Sequence, residues 1–311
     1  MIEHTCPPCQ DVSAVSRAFL DHGLDMNSLA ELKDGIFVEL MKLGIEAGEA
    51  KKEAQMIVAH ATGCDTVQQI LQHDQPLPAT ALKAASELLE LRKLRVPIQY
   101  ALKEAWFMGW RFAMEPGVFI PRSDTEALVQ AVITLVHNKR QGSVALAEIG
   151  IGSGAIAVSL LKALPQCKIF ATDICDKAAQ LADKNARAHQ VSDRLKIKCE
   201  DWRAALPQNL DGIVSNPPYI PLNLSSTLAP EVLDHEPHQA LFGTGDDGLD
   251  FYRQIAAVAP VHLRAGGFLA LEVGDGQSAE VCRILGEGEW IAISTLLDMN
   301  GSIRVVTAWR E

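Results

Sequence analysis

The feature that most constrains the fold is a glycine-rich loop between two apolar stretches. An apolar run ends near Glu148, and Gly150, Gly152 and Gly154 follow at alternate positions before a helical pattern at 155–163. Glycines let a backbone turn sharply and let a ligand approach it closely. A strand, a glycine loop and a helix in this order are typical of the unit that opens a nucleotide-binding α/β sheet.

The rest of the C-terminal part alternates between strand-like and helix-like segments, as in a parallel α/β sheet. The predicted strands are 144–149, 168–172, 195–198, 212–215, 267–273, 290–297 and 303–308. The predicted helices are 155–163, 177–189, 249–262 and 278–285. Asn300-Gly301 predicts a hairpin before the last strand, which should therefore run antiparallel. The fold class is α/β, with a Rossmann-like sheet of seven strands.

The N-terminal part shows a different period. Apolar residues recur at three- and four-residue steps from 36 to 95, and Gly63 is placed to end a helix. We expect a small helical domain at 36–97 that recognises a partner. Residues 1–35 form a poorly defined extension with one short helix near 12–20.

A β-hairpin at 98–122 is predicted to link the helical domain to the sheet domain at 123–311. Its arms would be 106–112 and 118–120, with Pro116-Gly117 as the turn. The order Ser123, Asp124, Thr125, Glu126 then has the pattern of a helix capping box.

Composition narrows the functional classes. The formal net charge is −11, which disfavours a grip on nucleic acid phosphates. No apolar run is long enough to span a bilayer, and the first residues lack the pattern of a signal peptide. Seven scattered cysteines suit free thiols in a reducing compartment, and the Cys6–Cys9 spacing has no second pair to complete a zinc site. We expect a cytoplasmic monomer without a metal.

A second motif follows the strand at 212–215. Asn216 is followed by Pro217, Pro218 and Tyr219. Two prolines stiffen this turn and remove two N–H donors, so the amide oxygen of Asn216 and the carbonyl oxygens remain as acceptors. Such a turn suits a planar group that carries an NH2, with the tyrosine ring against it. A proline strand terminator with a packed tyrosine is the alternative interpretation.

The glycine loop admits two cofactors, a nicotinamide dinucleotide or S-adenosylmethionine. Its spacing is G-x-G-x-G, whereas dinucleotide sites show G-x-G-x-x-G. Asp173, at the end of the second strand, could accept two ribose hydroxyls, and Glu148 could hold the charged amino end of S-adenosylmethionine. Asp201 could accept the adenine amine and Trp202 could stack on the ring. These features together favour S-adenosylmethionine, and core packing is the alternative for Trp202.

The ordered motifs resemble those of the bacterial protein-(glutamine-N5) methyltransferases, most closely the peptide chain release factor glutamine methyltransferases. The resemblance covers roughly 44–310. Its carriers are segments 95–100 (Arg-Val-Pro-Ile-Gln-Tyr), 120–126 (Ile-Pro-Arg-Ser-Asp-Thr-Glu), 148–154, 215–220, 236–249 and 298–306.

The resemblance implies methylation of the glutamine in the Gly-Gly-Gln motif of class I peptide chain release factors, with the helical domain gripping that substrate. The implied catalytic residues are Asn216, Pro217 and Tyr219, and Pro218 joins them in substrate binding. The expected S-adenosylmethionine contacts are Glu148, Gly150, Ile151, Gly152, Ser153, Gly154, Asp173, Asp201, Trp202 and Asn216.

Three alternatives remain open. Residues 105–109 are reminiscent of the ribosomal protein L3 glutamine methyltransferases. Asn-Pro-Pro-Tyr also occurs in adenine-N6 methyltransferases, although the acidic charge disfavours a nucleic acid substrate. A non-catalytic cofactor-binding module would have no use for an amide clamp.

Overall fold

A computed structural model of the chain describes residues 28–138 and 142–311. The predicted helix near 12–20 and the Cys6–Cys9 pair lie outside these residues. The chain divides into two compact units, Met1–Leu102 and Lys103–Glu311. In the part that the structure describes, no helix is both long enough and apolar enough to cross a membrane.

The first unit is helical, as the three- and four-residue periodicity predicts. Its helices are α1 (Leu29–Lys42), α2 (Ala47–Thr62), α3 (Thr66–Leu71), α4 (Ala79–Lys93) and α5 (Ile98–Leu102). Ser28 and Glu31 cap α1 reciprocally, and Gly63 ends α2 in the left-handed conformation at φ 74°. Ile36, Leu40 and Ile57 are fully buried in its core.

A buried ion pair joins two helices of this unit. The Arg92 guanidinium on α4 contacts both oxygens of Glu53 on α2, at 2.7 and 3.0 Å. Arg92 also donates to the Val96 carbonyl at 2.6 Å. Removing one partner would leave the other charge buried without compensation, so the pair couples the stability of α2 to that of α4.

The second unit begins with a β-hairpin whose strands differ from the predicted ones. Strand β1 (Glu104–Phe107) pairs antiparallel with β2 (Trp110–Ala113). The turn is Met108-Gly109, both with positive φ, as a two-residue hairpin turn requires. The predicted pairing of 106–112 with 118–120 is wrong because the glycine that seemed to interrupt one arm is the turn itself.

The predicted capping box is also wrong. Residues Ser123–Thr125 form a 3-10 turn, and no side chain caps the following helix α6 (Glu126–His137). The Glu126 carboxylate instead accepts a 2.6 Å hydrogen bond from the Met108 N–H in the hairpin turn. A tertiary contact therefore takes the side chain that the local pattern assigned to helix capping.

The seven predicted strands are confirmed. They are β3 (Val144–Ile149), β4 (Cys167–Asp173), β5 (Leu195–Cys199), β6 (Leu210–Ser215), β7 (Leu263–Glu272), β8 (Trp290–Leu297) and β9 (Ile303–Arg310). Their order in the sheet is β5-β4-β3-β6-β7-β9-β8. The first five are parallel, and β9 runs antiparallel to both neighbours, as the Asn300-Gly301 turn predicts.

Helices cover both faces of the sheet. Besides α6 they are α7 (Ala155–Ala163), α8 (Asp176–Ala188), α9 (Trp202–Ala205), α10 (Pro230–His235), α11 (His238–Leu241), α12 (Asp250–Val258) and α13 (Ser278–Gly286). One buried cluster contains α6, α7 and α8, and the other contains α12, α13 and Trp202. Since β3 lies between β4 and β6, the chain crosses the sheet in opposite directions from β3. Ligands of open α/β sheets bind in the crevice at such a switch point.

Candidate active site

A cavity of about 410 Å³ opens at the carboxyl ends of the central parallel strands. The predicted site residues on its wall are Glu148, Gly150, Ile151, Gly152, Ser153, Asp173, Asp201, Trp202, Asn216, Pro217, Pro218 and Tyr219. The glycine loop and the proline turn come from strands that are adjacent in the sheet, through the parallel register Ile149 to Ser215. The structure thus brings the two sequence motifs to one cavity.

Gly154 is not among the residues that line this cavity. Its φ is 83°, and a Cβ there would lie 3.1 Å from the Ala182 Cβ on α8. This glycine permits close packing of the loop on a neighbouring helix, so the structure does not support direct contact with a cofactor.

Most amides of the loop are already engaged within the protein. The N–H groups of Gly150 and Ile151 donate to the Thr172 carbonyl at 2.9 and 3.0 Å. The Gly152 N–H donates to Asp173 Oδ2 at 2.9 Å. A pyrophosphate would need free amides at this position. The loop therefore fits a ligand without phosphate better than a dinucleotide.

Asp173 supports the loop and faces the cavity at once. Besides the bond from Gly152, its Oδ1 accepts from the Cys175 N–H at 2.9 Å. A carboxylate has about four lone-pair sites, so each oxygen can accept a further hydrogen bond. These two backbone bonds orient the carboxylate, and the remaining lone pairs can receive a ligand diol.

Glu148 is 1% exposed, yet it lines the cavity. Among the described residues, none donates a hydrogen bond of normal geometry to either carboxylate oxygen. Burial raises the pKa of Glu148 well above its usual value, the Ala157 N–H opposes this, and the charge of Asp173 adds to it. A buried carboxylate with so little hydrogen bonding would be stabilised by a cation. An ammonium group of a ligand would supply that charge.

Asp201 and Trp202, which follow β5 after Glu200, differ in their surroundings. Trp202 is 7% exposed and belongs to a core cluster while also lining the cavity, so packing and ligand contact are compatible there. Asp201 caps α9 by accepting from the Arg203 N–H at 2.9 Å. The Arg203 guanidinium also binds both carboxylate oxygens and lowers the pKa of Asp201. An adenine amine would have to share this carboxylate with Arg203.

The proline turn is fastened on several sides. Ser215 Oγ donates to the Ile149 carbonyl at 2.9 Å, joining the ends of β6 and β3. Gln277 Nε2 donates to the Tyr219 carbonyl at 2.9 Å. At Gly248, with φ 74°, a Cβ would lie 2.5 Å from the Tyr219 carbonyl oxygen, so only glycine permits this approach. The turn is therefore held rigidly at the cavity wall.

The Tyr219 hydroxyl stays neutral. Burial raises the pKa of this phenol, and the charge of Glu272 adds to the increase. A phenol with a raised pKa is a poor proton acceptor near neutral pH. The chemistry that Tyr219 can offer is ring contact and hydrogen bonding.

The sequence interpretation missed part of the cavity wall. These residues lie on loops and helix ends: Phe119, Thr125, Glu200, Leu241, Thr244, Phe251 and Gln254. Thr125 was assigned to a helix start, Phe119 to a hairpin arm, and Phe251 and Gln254 to a helix, without a role at the site. Glu272 was missed as well, although a charged residue at the carboxyl end of a buried parallel strand is a recognisable signal.

The fold and the site together define a class. Four features define an S-adenosylmethionine-dependent methyltransferase: the mixed seven-stranded sheet, the glycine loop whose amides are engaged within the protein, the buried Glu148 carboxylate and the proline turn. Residues 109–235 match the family described as "Methyltransferase small domain", and residues 40–102 match "PrmC N-terminal domain".

Curated relatives identify the particular family. A release factor glutamine methyltransferase of Cereibacter sphaeroides is 38% identical, covering 84% of this chain and 91% of the relative. The release factor glutamine methyltransferase of Geobacter sulfurreducens is 38% identical, covering 86% of this chain and 91% of the relative. The human "MTRF1L release factor glutamine methyltransferase" is 39% identical, covering 72% of this chain and 70% of the relative. The chain belongs to the release factor glutamine methyltransferase family, which confirms the resemblance seen in its motifs.

Proposed function

We propose that this protein transfers the methyl group of S-adenosylmethionine to the side-chain amide nitrogen (N5) of a glutamine, in the Gly-Gly-Gln motif of a class I peptide chain release factor. The observation that carries the proposal is the position of Asn216 and Pro217 on the same cavity wall as Glu148 and Asp173. The names of the curated relatives support the choice of a release factor as substrate.

The residues around the glycine loop would hold the methyl donor. Glu148 would pair with its ammonium group, Asp173 would accept its ribose hydroxyls, and Trp202 would pack on its adenine. S-adenosylmethionine, when bound, supplies a methyl group on a sulfonium centre, which is already strongly electrophilic. No covalent enzyme intermediate is then needed, and the task of the protein is positioning.

The proline turn would hold the glutamine. Asn216 Oδ1 and the Pro217 carbonyl accept no hydrogen bond from any residue that the structure describes. Both can therefore receive the N–H groups of a substrate amide. Two such bonds would direct the nitrogen lone pair toward the methyl group and stabilise the positive charge that develops on nitrogen.

The protein needs no strong base for this reaction. The amide nitrogen becomes very acidic once it is methylated, so its extra proton leaves readily. Tyr219, whose pKa is raised, would keep its proton and support the amide plane with its ring. This division of roles makes the turn an electrostatic and geometric device.

We also propose that the helical unit recognises the release factor and that the enzyme acts on protein as a monomer. The exposed face of α3 supports this role: Val67, Ile70 and Leu71 are 62%, 65% and 76% exposed. Exposed apolar side chains grouped on one short helix suit contact with a protein.

Labelled S-adenosylmethionine tests the proposed function. We expect label on a release factor and none on a variant in which the glutamine of Gly-Gly-Gln is replaced by asparagine. Ribosomal protein L3 and duplex DNA serve as parallel acceptors. Label confined to L3 or to DNA would refute the proposal.

A further inference from the structure

The proposed role of Asn216 depends on which end of its amide faces the cavity. Oδ1 in the cavity accepts an N–H group of the substrate, whereas Nδ2 there would oppose it. The two ends have almost the same shape, so the hydrogen bonds behind the side chain must decide the orientation.

Two buried side chains lie against Asn216, and one of them, Thr125, also lines the cavity. The parallel register pairs Ser215 with Leu271, so the next residues, Asn216 and Glu272, stand side by side at the ends of β6 and β7. Glu272 is 1% exposed and Thr125 is 3% exposed. Asn216 Nδ2 donates to Thr125 Oγ1 at 3.2 Å. The Thr125 and Asn216 side chains lie close enough to the Glu272 carboxylate to lower its pKa, although no described residue donates a hydrogen bond of normal geometry to its Oε2.

The hydrogen-bonding capacity of these groups determines which end of the Asn216 amide faces the cavity. An ionised carboxylate can only accept, so the neighbouring Glu272 carboxylate attracts the single hydrogen of the Thr125 hydroxyl. The Thr125 oxygen can then only accept from Asn216. Both neighbours therefore require the NH2 end of Asn216, and Oδ1 is left to face the cavity.

We propose that Thr125 and Glu272 are positioning residues that hold the Asn216 amide with Oδ1 toward the substrate. This inference rests on the proposed function, since it specifies how the amide clamp obtains its polarity. Neither residue has to touch the substrate or the methyl group for this purpose.

The surroundings of Glu272 make this polarity depend on pH. The charged and titratable groups that face it are Asp124 from the 3-10 turn, Tyr219 after β6, Tyr252 on α12 and Arg304 on β9. Burial raises the pKa of Glu272 to about 7, hydrogen bonds from Thr125 and Asn216 and the charge of Arg304 oppose this, and Asp124 adds to it. Arg304 is itself paired with Asp275 at 2.8 Å.

A protonated Glu272 can donate a hydrogen bond. It could then donate to Thr125 Oγ1, and the Thr125 hydrogen would be free to meet Asn216 Oδ1. The amide would lose its preferred orientation. Turnover should therefore rise with pH through the pKa of Glu272, and this rise should be absent from a variant that cannot ionise at that position.

Kinetics of four variants with a release factor test the inference: Thr125→Val, Thr125→Ser, Glu272→Gln and the control Ser123→Ala. Ser123 carries a hydroxyl on the same turn but is exposed. We expect Thr125→Val and Glu272→Gln to lower kcat by roughly 10- to 100-fold, which is the usual cost of leaving a buried polar group without its hydrogen-bond partner. Thr125→Ser and Ser123→Ala should stay within about 3-fold of wild type, on the same scale.

The affinity for S-adenosylmethionine, by calorimetry, and the melting temperature separate positioning from folding. If the two residues act by positioning, Thr125→Val and Glu272→Gln lower kcat while the affinity for S-adenosylmethionine stays nearly unchanged. Glu272→Gln also loses the pH dependence of turnover. If Glu272→Gln fails to fold, the comparison of valine with serine at Thr125 decides. Wild-type kcat and pH profile in Thr125→Val would overturn the inference. Absence of methylation by the wild-type enzyme would instead refute the proposed function.

Discussion

At the scale of single residues, the cavity combines two acids with opposite surroundings. Asp173 is oriented by two backbone N–H groups, while Glu148 is buried without a donor among the described residues. The first is prepared to share lone pairs with neutral hydroxyls, and the second is prepared for a positive charge. The chemical difference follows from the hydrogen bonds, because both side chains end in the same carboxylate.

Replacing Asn216 tests the amide clamp. Asn216→Ala should reduce kcat by about 100- to 1000-fold, the usual cost of removing one donor or acceptor that stabilises developing charge. The affinity for S-adenosylmethionine, by calorimetry, should change little. Asn300→Ala, in the exposed turn before β9, is the control. Equal losses of turnover and affinity would contradict the assigned role.

Glu148 links cofactor binding to stability. Its folded pKa is raised, so the folded state loses stability as pH rises from the unfolded pKa toward the folded one, and that loss persists at higher pH. Glu148→Gln removes this cost. At pH 7 we expect a higher melting temperature without S-adenosylmethionine and a smaller increase upon its addition.

Calorimetric melting with and without the ligand measures both effects of Glu148→Gln. Asp173→Asn is the matched comparison, since two backbone N–H groups already donate to that carboxylate. A variant with an unchanged melting temperature and an unchanged response to S-adenosylmethionine would show that Glu148 holds no cation.

At the scale of elements, the hairpin and the buried ion pair show how distant residues complete local patterns. The Met108 N–H of the Met108-Gly109 turn donates a hydrogen bond to Glu126, which lies at the start of α6. The apolar pattern of α2 and α4 predicts their buried faces, but not the Arg92–Glu53 pair across them. Short-range sequence patterns contain no information about such partners.

Breaking the ion pair should destabilise the helical unit. Arg92→Ala should cost about 3–5 kcal/mol, because the Glu53 charge would remain buried and uncompensated. The double replacement Glu53→Leu with Arg92→Met fills similar volumes without charges and should cost far less. Hydrogen exchange of the α2 and α4 amides measures both. Similar losses in the two proteins would assign the effect to packing.

At the scale of the whole molecule, the cavity belongs to one of the two compact units. Every lining residue lies within Lys103–Glu311. Saturating S-adenosylmethionine at about 100 times its Kd should stabilise that unit by about 2.7 kcal/mol. Hydrogen exchange should slow most at the carboxyl ends of β3, β4 and β6. Protection confined to residues 28–102 would contradict this assignment.

Much of the second unit was predictable because its signals are local. Alternating apolar runs, the glycine loop and the Asn300-Gly301 turn each reflect backbone geometry within a few residues, and all seven strands followed from them. The cavity wall was predictable only where a motif marks it, as at Glu148 and Asn216. Phe119, Thr125 and Phe251 belong to local patterns that indicate secondary structure but not which side chains meet at the cavity.

The sequence by itself determined the succession of strands and helices along the chain, the glycine loop and the proline-stiffened turn with its free acceptors. Each of these depends on the chemistry of neighbouring residues. Only the tertiary structure decided that Glu148 is buried with no hydrogen bond of normal geometry from the described residues, that Gly154 packs on Ala182, and that Thr125 and Glu272 lie against Asn216. These properties depend on which side chains from distant segments meet in a space closed to water. Burial and partnership, rather than residue type, set the charge and direction of each group there.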